Sequence, residues 1–158
     1  MQKEYKINQV NPSKGALDFS YLLDAPAGKH GFVQAKNGHL YYEDGTRARF
    51  LGFNMATRSN AVNHELAEKL AGRFASLGVN VIRLHAADAP IGEQERSWSS
   101  CKEAPLLDYE KGTSRFFHPE GLDRFDYFVA KLKEKGIYIH IDLIVAREFL
   151  LGDELDYD

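Results

Sequence analysis

Three short stretches of the chain, at 49–54, 79–85 and 137–143, alternate polar and apolar residues with a period of two. Successive side chains on a strand point to opposite faces, so each stretch reads as a strand with one polar and one apolar side. Asn54 falls on the polar side of the first, Arg83 and His85 on that of the second, and His140 and Asp142 on that of the third. The other sides carry Leu51 and Phe53, Ile82 and Leu84, and Ile139, Ile141 and Leu143, all suited to packing under helices. Polar groups inside a sheet are costly unless paired. Three strands with the same habit predict a shared polar lumen and a site at the strands' C-terminal ends.

Between these strands the apolar period changes to that of a helix. Asn63 is placed to cap a helix with Glu65 in its first turn, an apolar stripe of Leu66, Leu70, Phe74 and Leu77, and a stop at Gly78. Pro119 suits the first turn of a second helix, with the stripe Leu122, Phe125, Val129 and Leu132 and a stop at Gly136. Upstream, Asn37-Gly38 lies between two β-prone runs, the strongest short-range hairpin signal. Asp44-Gly45 marks a second turn. Residues 1–30 show no clear period and read as an arm wrapping a larger body; 31–158 hold the hairpin and the alternating units. Strands alternating with helices predict α/β architecture with parallel pairing. The irregular stretch 86–117 is long enough to be functional or an insertion.

Composition narrows the function classes. A chain of 158 residues carries one ordinary core. The net charge of −3, with Lys and Arg dispersed, argues against nucleic acid as partner. Cys101 is the only cysteine, so neither an internal disulfide nor a cysteine-based zinc site is available. No apolar leader is visible at the start and no stretch is long enough to span a bilayer, which together predict a cytoplasmic protein without membrane contact.

The hairpin segment Lys36-Asn-Gly-His-Leu-Tyr-Tyr-Glu-Asp-Gly, then Phe50-Leu-Gly-Phe-Asn54, Leu77-Gly-Val-Asn-Val-Ile-Arg-Leu-His85 and Lys135-Gly-Ile-Tyr-Ile-His-Ile-Asp-Leu143, occur in this order. The chain thereby resembles the N-terminal part of a clan A (β/α)8-barrel glycoside hydrolase of the cellulase and β-mannanase type, from about Gly31 onward. The resemblance implies an N-terminal hairpin plus the first three β/α units of a TIM barrel. It further implies cleavage of β-glycosidic bonds in an oligo- or polysaccharide, without a cofactor. Arg83 matches the arginine that lies beside the catalytic nucleophile in that family. Histidine often follows Asp-Leu on the third strand there, whereas Ile144 and Val145 stand here. The family's acid/base and nucleophile glutamates lie on strands four and seven, expected beyond residue 158. A full barrel takes about 250 residues, so this chain is expected to be inactive by itself.

Retaining glycosidases place two carboxyls about 5–5.5 Å apart. Asp142 and Asp88 are the nearest thing to such a pair, but a carboxylate opposite Arg83 has its pKa lowered, which suits no general acid. Arg83 can hold a nucleophile carboxylate in fixed geometry or form an ion pair within the lumen. Substrate contacts are assigned to Asn54, His85, Trp98, Asp142 and Glu148. Each has a structural alternative: loop support for Asn54, packing under the long loop for His85, an ion pair for Asp142, loop anchoring for Trp98 and a solvated rim for Glu148. Two other function classes remain open. One is a non-catalytic carbohydrate-binding or assembly module, which self-associates or pairs with a complementing fragment through the unpaired edge of the third strand. The other is a metal-dependent barrel hydrolase built on His85, His140 and Asp142; the residue pattern favours no metal.

Overall fold

The computed structural model describes residues 17–90 and 104–156. Strands β1 (Val33–Lys36) and β2 (His39–Tyr42) pair antiparallel across the Asn37-Gly38 turn. β3 (Gly52–Ala56), helix α1 (His64–Ser76), β4 (Val81–His85), helix α2 (Pro119–Glu134) and β5 (Tyr138–Ile141) follow. The last three strands form a parallel sheet in the order β3-β4-β5. This is mixed α/β architecture; no closed barrel forms among the described residues. Among them, too, no helix is long and apolar enough to cross a membrane.

Local signals explain the elements. Asn63 caps α1 by accepting from the Leu66 N–H at 2.9 Å. Pro119 occupies the first turn of α2, and the cap is His118, whose Nδ1 accepts from the Gly121 N–H. The left-handed residues Gly78 (φ 73°) and Gly136 (φ 81°) end both helices and turn the chain into β4 and β5. At Gly52 the strands approach closely: a Cβ there would stand 2.0 Å from the Val81 carbonyl oxygen.

The core lies between the apolar side of the sheet and the two helices. Ile82, Leu84, Phe128, Leu132 and Ile137 are fully buried in it. Phe53 packs edge-on against Phe74 at 4.7 Å. The buried side of α1 differs from the expected leucine stripe: Ala67, Ala71, Phe74 and Ala75 face inward, Leu70 is half-buried, and Leu66 and Leu77 are exposed. Small side chains let the helix lie close to its neighbours, so the alanines take the interior. The ends of the apolar strand faces also differ, with Leu51 and Leu143 exposed. Phe116 and Phe117 lie half exposed. Tyr42, by contrast, stacks on Tyr138 at 5.5 Å and joins the hairpin to the start of β5.

The described part of the arm lies at the N-terminal end of the sheet. The Phe19 N–H donates to the Ser76 carbonyl and the Ala27 N–H to the Lys133 carbonyl, both 2.9 Å. His30 sits between Asp24 and Asp44, tying the arm to the turn after β2.

Candidate functional site

Parallel register places Asn54 opposite Arg83 and Arg83 opposite His140, one polar row across three strands. His85 lies one pleat further along β4. β5 ends at Ile141, so Asp142 stands one residue past the strand rather than on it. Its N–H still reaches the Leu84 carbonyl at 3.5 Å.

Asp142 is the hub. Arg83 Nε donates to Oδ1 at 3.1 Å and a terminal guanidinium nitrogen lies 2.8 Å from Oδ2, a bidentate grip. His85 Nδ1 meets Oδ2 at 2.5 Å, and His140 Nε2 lies 3.7 Å from Oδ1. The guanidinium first, and the imidazole of His85 next, hold the Asp142 carboxyl below its ordinary 3.8. It therefore stays ionised at neutral pH and can orient cations or accept a hydrogen bond, but not serve as general acid. Arg83 spends two of its donors on Asp142 and leaves others for a ligand; its side chain is 44% exposed.

The C-terminal ends of β3 and β4 share another feature. Thr57 (φ 50°) and Ala86 (φ 52°), each the first residue past its strand, adopt left-handed backbone. Such strain in residues with a Cβ gathers at functional sites. Asn60 supports this rim: it is buried, donates to the His85 carbonyl at 2.8 Å, and its Oδ1 has no partner among the described residues. Nothing in the periodicity singled it out.

Other candidates separate from the hub. Asp88 is buried and accepts from the Val145 and Ala146 N–H groups at 3.0 and 3.2 Å, anchoring the segment after β5. That use of its carboxylate makes it a backbone anchor, not half of a carboxyl pair with Asp142. Glu148 is exposed, and its N–H donates to the Tyr109 hydroxyl at 3.2 Å. Trp98 and Cys101 lie outside the described residues. No group of three or more His, Cys, Asp or Glu among those residues is arranged to hold a metal; His85, His140 and Asp142 form an ion-pair cluster instead.

A second polar centre escaped the sequence reading. Asp153 is buried and accepts from the Thr113 hydroxyl (2.7 Å), the Ser114 N–H and hydroxyl (2.8 and 3.0 Å) and the Leu150 N–H (2.7 Å). Burial alone would raise its pKa, but these donors outweigh burial and lower it far below the carboxylate range. Arg147 extends the network, donating to the Ser114 hydroxyl and carbonyl at 2.8 Å. Thr113 and Ser114 lie about 40 residues from Asp153 in sequence, so no local motif announces the centre.

No family model and no curated protein matches the chain. Solved structures do. A glycoside hydrolase family 5 structure from Bacteroides vulgatus ATCC 8482 is similar over 75% of this chain, with 15% identity and a TM-score of 0.51. A second structure, described as a glycoside hydrolase, is similar over 75% with 19% identity and a TM-score of 0.52. The chain spans 26% of the length of each. At such identities the likeness is one of fold: the described α/β units are similar to part of a glycoside hydrolase family 5 structure.

Proposed function

We propose that residues 31–158 form the N-terminal hairpin and first three β/α units of a (β/α)8-barrel glycoside hydrolase, with residues 1–30 as an N-terminal arm. The observation that supports this most is the polar row Asn54–Arg83–His140, with Asp142 beside it, on the side of a parallel sheet not covered by α1 and α2. In a barrel that side faces the lumen, and the C-terminal strand ends carry the chemistry. Arg83, held on one side by Asp142, then presents its remaining donors to a nucleophile carboxylate contributed by another strand. His85, Asn54, Asp142 and Glu148 line or rim the sugar site. The acid/base and nucleophile glutamates come from strands beyond these units, and the 158 residues alone hydrolyse no glycoside.

The decisive experiment compares the chain with a protein extended to barrel length on a panel of chromogenic aryl β-glycosides. Turnover by the extended protein alone, reduced by Arg83→Gln, supports the reading. Turnover by the short chain, abolished by Asp88→Asn or Asp142→Asn, overturns it.

Among the described residues β3 and β5 each pair on one side only. Unpaired edges template association, and the chain by itself is expected to self-associate or to bind a complementing fragment through them. A monodisperse monomer at micromolar concentration in sedimentation velocity counts against this.

A further inference from the structure

A different part of the molecule carries an unassigned binding site. In the hairpin, Lys36 pairs directly with His39, so their side chains share a face. Tyr41 is on that face of β2, two residues from His39, and it bridges to Arg47 on the returning segment. Arg47 and Arg49 flank Ala48, whose N–H donates to the Leu40 carbonyl and whose side chain is buried. The alternation thus gathers Lys36, His39, Arg47 and Arg49 on one side of a small antiparallel patch. They border an open hollow of about 490 Å³ together with the Asn37-Gly38 turn.

The charges of this hollow are unbalanced. Elsewhere Lys29, Lys69, Arg83, Lys111, Arg115, Arg124 and Lys131 each meet a carboxylate, while Arg73, Lys133, Lys135 and Arg147 form no ion pair among the described residues but border no part of this hollow. Among the described residues Lys36, Arg47 and Arg49 meet none, and no acidic residue lines the hollow. The nearby carboxylates are engaged otherwise: Asp24 by Lys29 and His30, Asp44 by His30 and the Thr46 N–H. Arg47 also contacts His39 Nδ1 at 3.0 Å. A guanidinium only donates, so Nδ1 accepts and the ring's hydrogen sits on Nε2. Three cations and an imidazole N–H in one concavity make an oxyanion receptor, in which guanidinium forks match phosphate or sulfate geometry.

We propose that this hairpin hollow binds an oxyanion of the phosphate or sulfate class, either the free ion or its sugar ester, through Lys36, Arg47 and Arg49. The site lies at the N-terminal end of the parallel sheet, opposite the Asp142 cluster, and its occupancy is independent of the glycosidase reading.

The test is a titration of the full 158-residue chain with inorganic phosphate, inorganic sulfate and glucose 6-phosphate, followed by NMR shifts of the Gly38 amide and the Arg47 and Arg49 side chains. Saturable shifts below about 10 mM, weakened by added chloride, are expected. Arg47→Gln and Lys36→Gln each weaken binding about tenfold, while Lys133→Gln, which removes the same charge elsewhere, leaves it unchanged. Tighter binding of glucose 6-phosphate than of inorganic phosphate identifies an ester site; equal binding identifies a free-ion site. Absence of saturation by all three probes overturns the proposal, as does equal weakening by Lys133→Gln.

Discussion

The two sides of the β3-β4-β5 sheet alternate along the same strands yet are held by different physics. On one side Ile82 and Leu84 are fully buried against Phe128 and Leu132. On the other, one residue out of phase, Arg83, His85 and Asp142 hold one another by charge while Arg83 remains 44% exposed. The apolar side is closed by the chain's own helices, whereas the polar side keeps donors open to whatever approaches it. Stability therefore resides in the first side, and the ligand chemistry proposed above would use the second. Leu84→Ala breaks this division where it is strongest. Removing a fully buried leucine costs about 2–5 kcal/mol, seen as a Tm roughly 5–20 °C lower in a domain of this size. A shift below about 2 °C would show that the helices do not close that side.

Gly52→Ala attacks both sides together. The added Cβ would stand 2.0 Å from the Val81 carbonyl oxygen and 2.5 Å from its Cγ1, so β3 must move away from β4. Overpacking of this kind costs about 1–3 kcal/mol. Because register couples the two sides, the loss is expected both in the denaturant midpoint and in amide-exchange protection of β3 and β4, while the β1–β2 hairpin keeps its protection. Unchanged exchange in β3 would mean that strand pairing does not depend on the missing side chain.

Arg83→Gln isolates the polar side. The Asp142 carboxyl is held low chiefly by Arg83, so its pKa rises toward 3.8 in the variant, as read by carbon NMR titration. A depressed carboxyl contributes stability above its unfolded pKa and loses it as pH falls through the folded value. The variant therefore keeps less of that contribution and is less stable than the parent at neutrality, and the gap closes as pH falls through the parent's folded value. An Asp142 titration that ignores Arg83→Gln would remove the ion pair from any account of the site.

The polar row was legible in sequence because a period of two survives any error in strand ends: β3 runs two residues past Asn54 and β5 stops before Asp142, yet the partners still meet. The helix interior was less legible. Hydrophobicity favours Leu66 and Leu77 over Ala67 and Ala71, but close helix packing rewards small size, and that depends on what lies opposite. The Asp153 network was invisible for a further reason. Thr113, Ser114 and Asp153 meet only in the folded chain, and each is a common loop residue when read locally. The basic hairpin face lies between these extremes: Arg47 and Arg49 alternate openly, but Lys36 and His39 join them only through the hairpin register.

The smallest effect concerns the arm, where an imidazole bridges two carboxylates at the surface. Asp24 first and Asp44 second raise the His30 pKa above 6.5. Asp24 is lowered below 3.8 by Lys29 and then His30, and Asp44 by the Thr46 N–H ahead of His30. The signs oppose one another. The histidine's contribution is complete below 6.5 and fades as pH rises through the raised value; the carboxylates' contributions are complete above 3.8 and fade as pH falls through theirs. The clasp between arm and hairpin is therefore tightest between those pH values. Amide exchange at residues 24–31 should be slowest there, relative to its intrinsic rate, and quicken on either side. His30→Gln should flatten the alkaline limb while the acid limb persists through Lys29–Asp24 and Thr46–Asp44. An alkaline limb that persists in His30→Gln would transfer that part of the pH response from the clasp to another group. Because all three side chains stand partly in water, where exposed pairs are weak, global Tm should barely register the change, and only local exchange separates the arm from the sheet it covers.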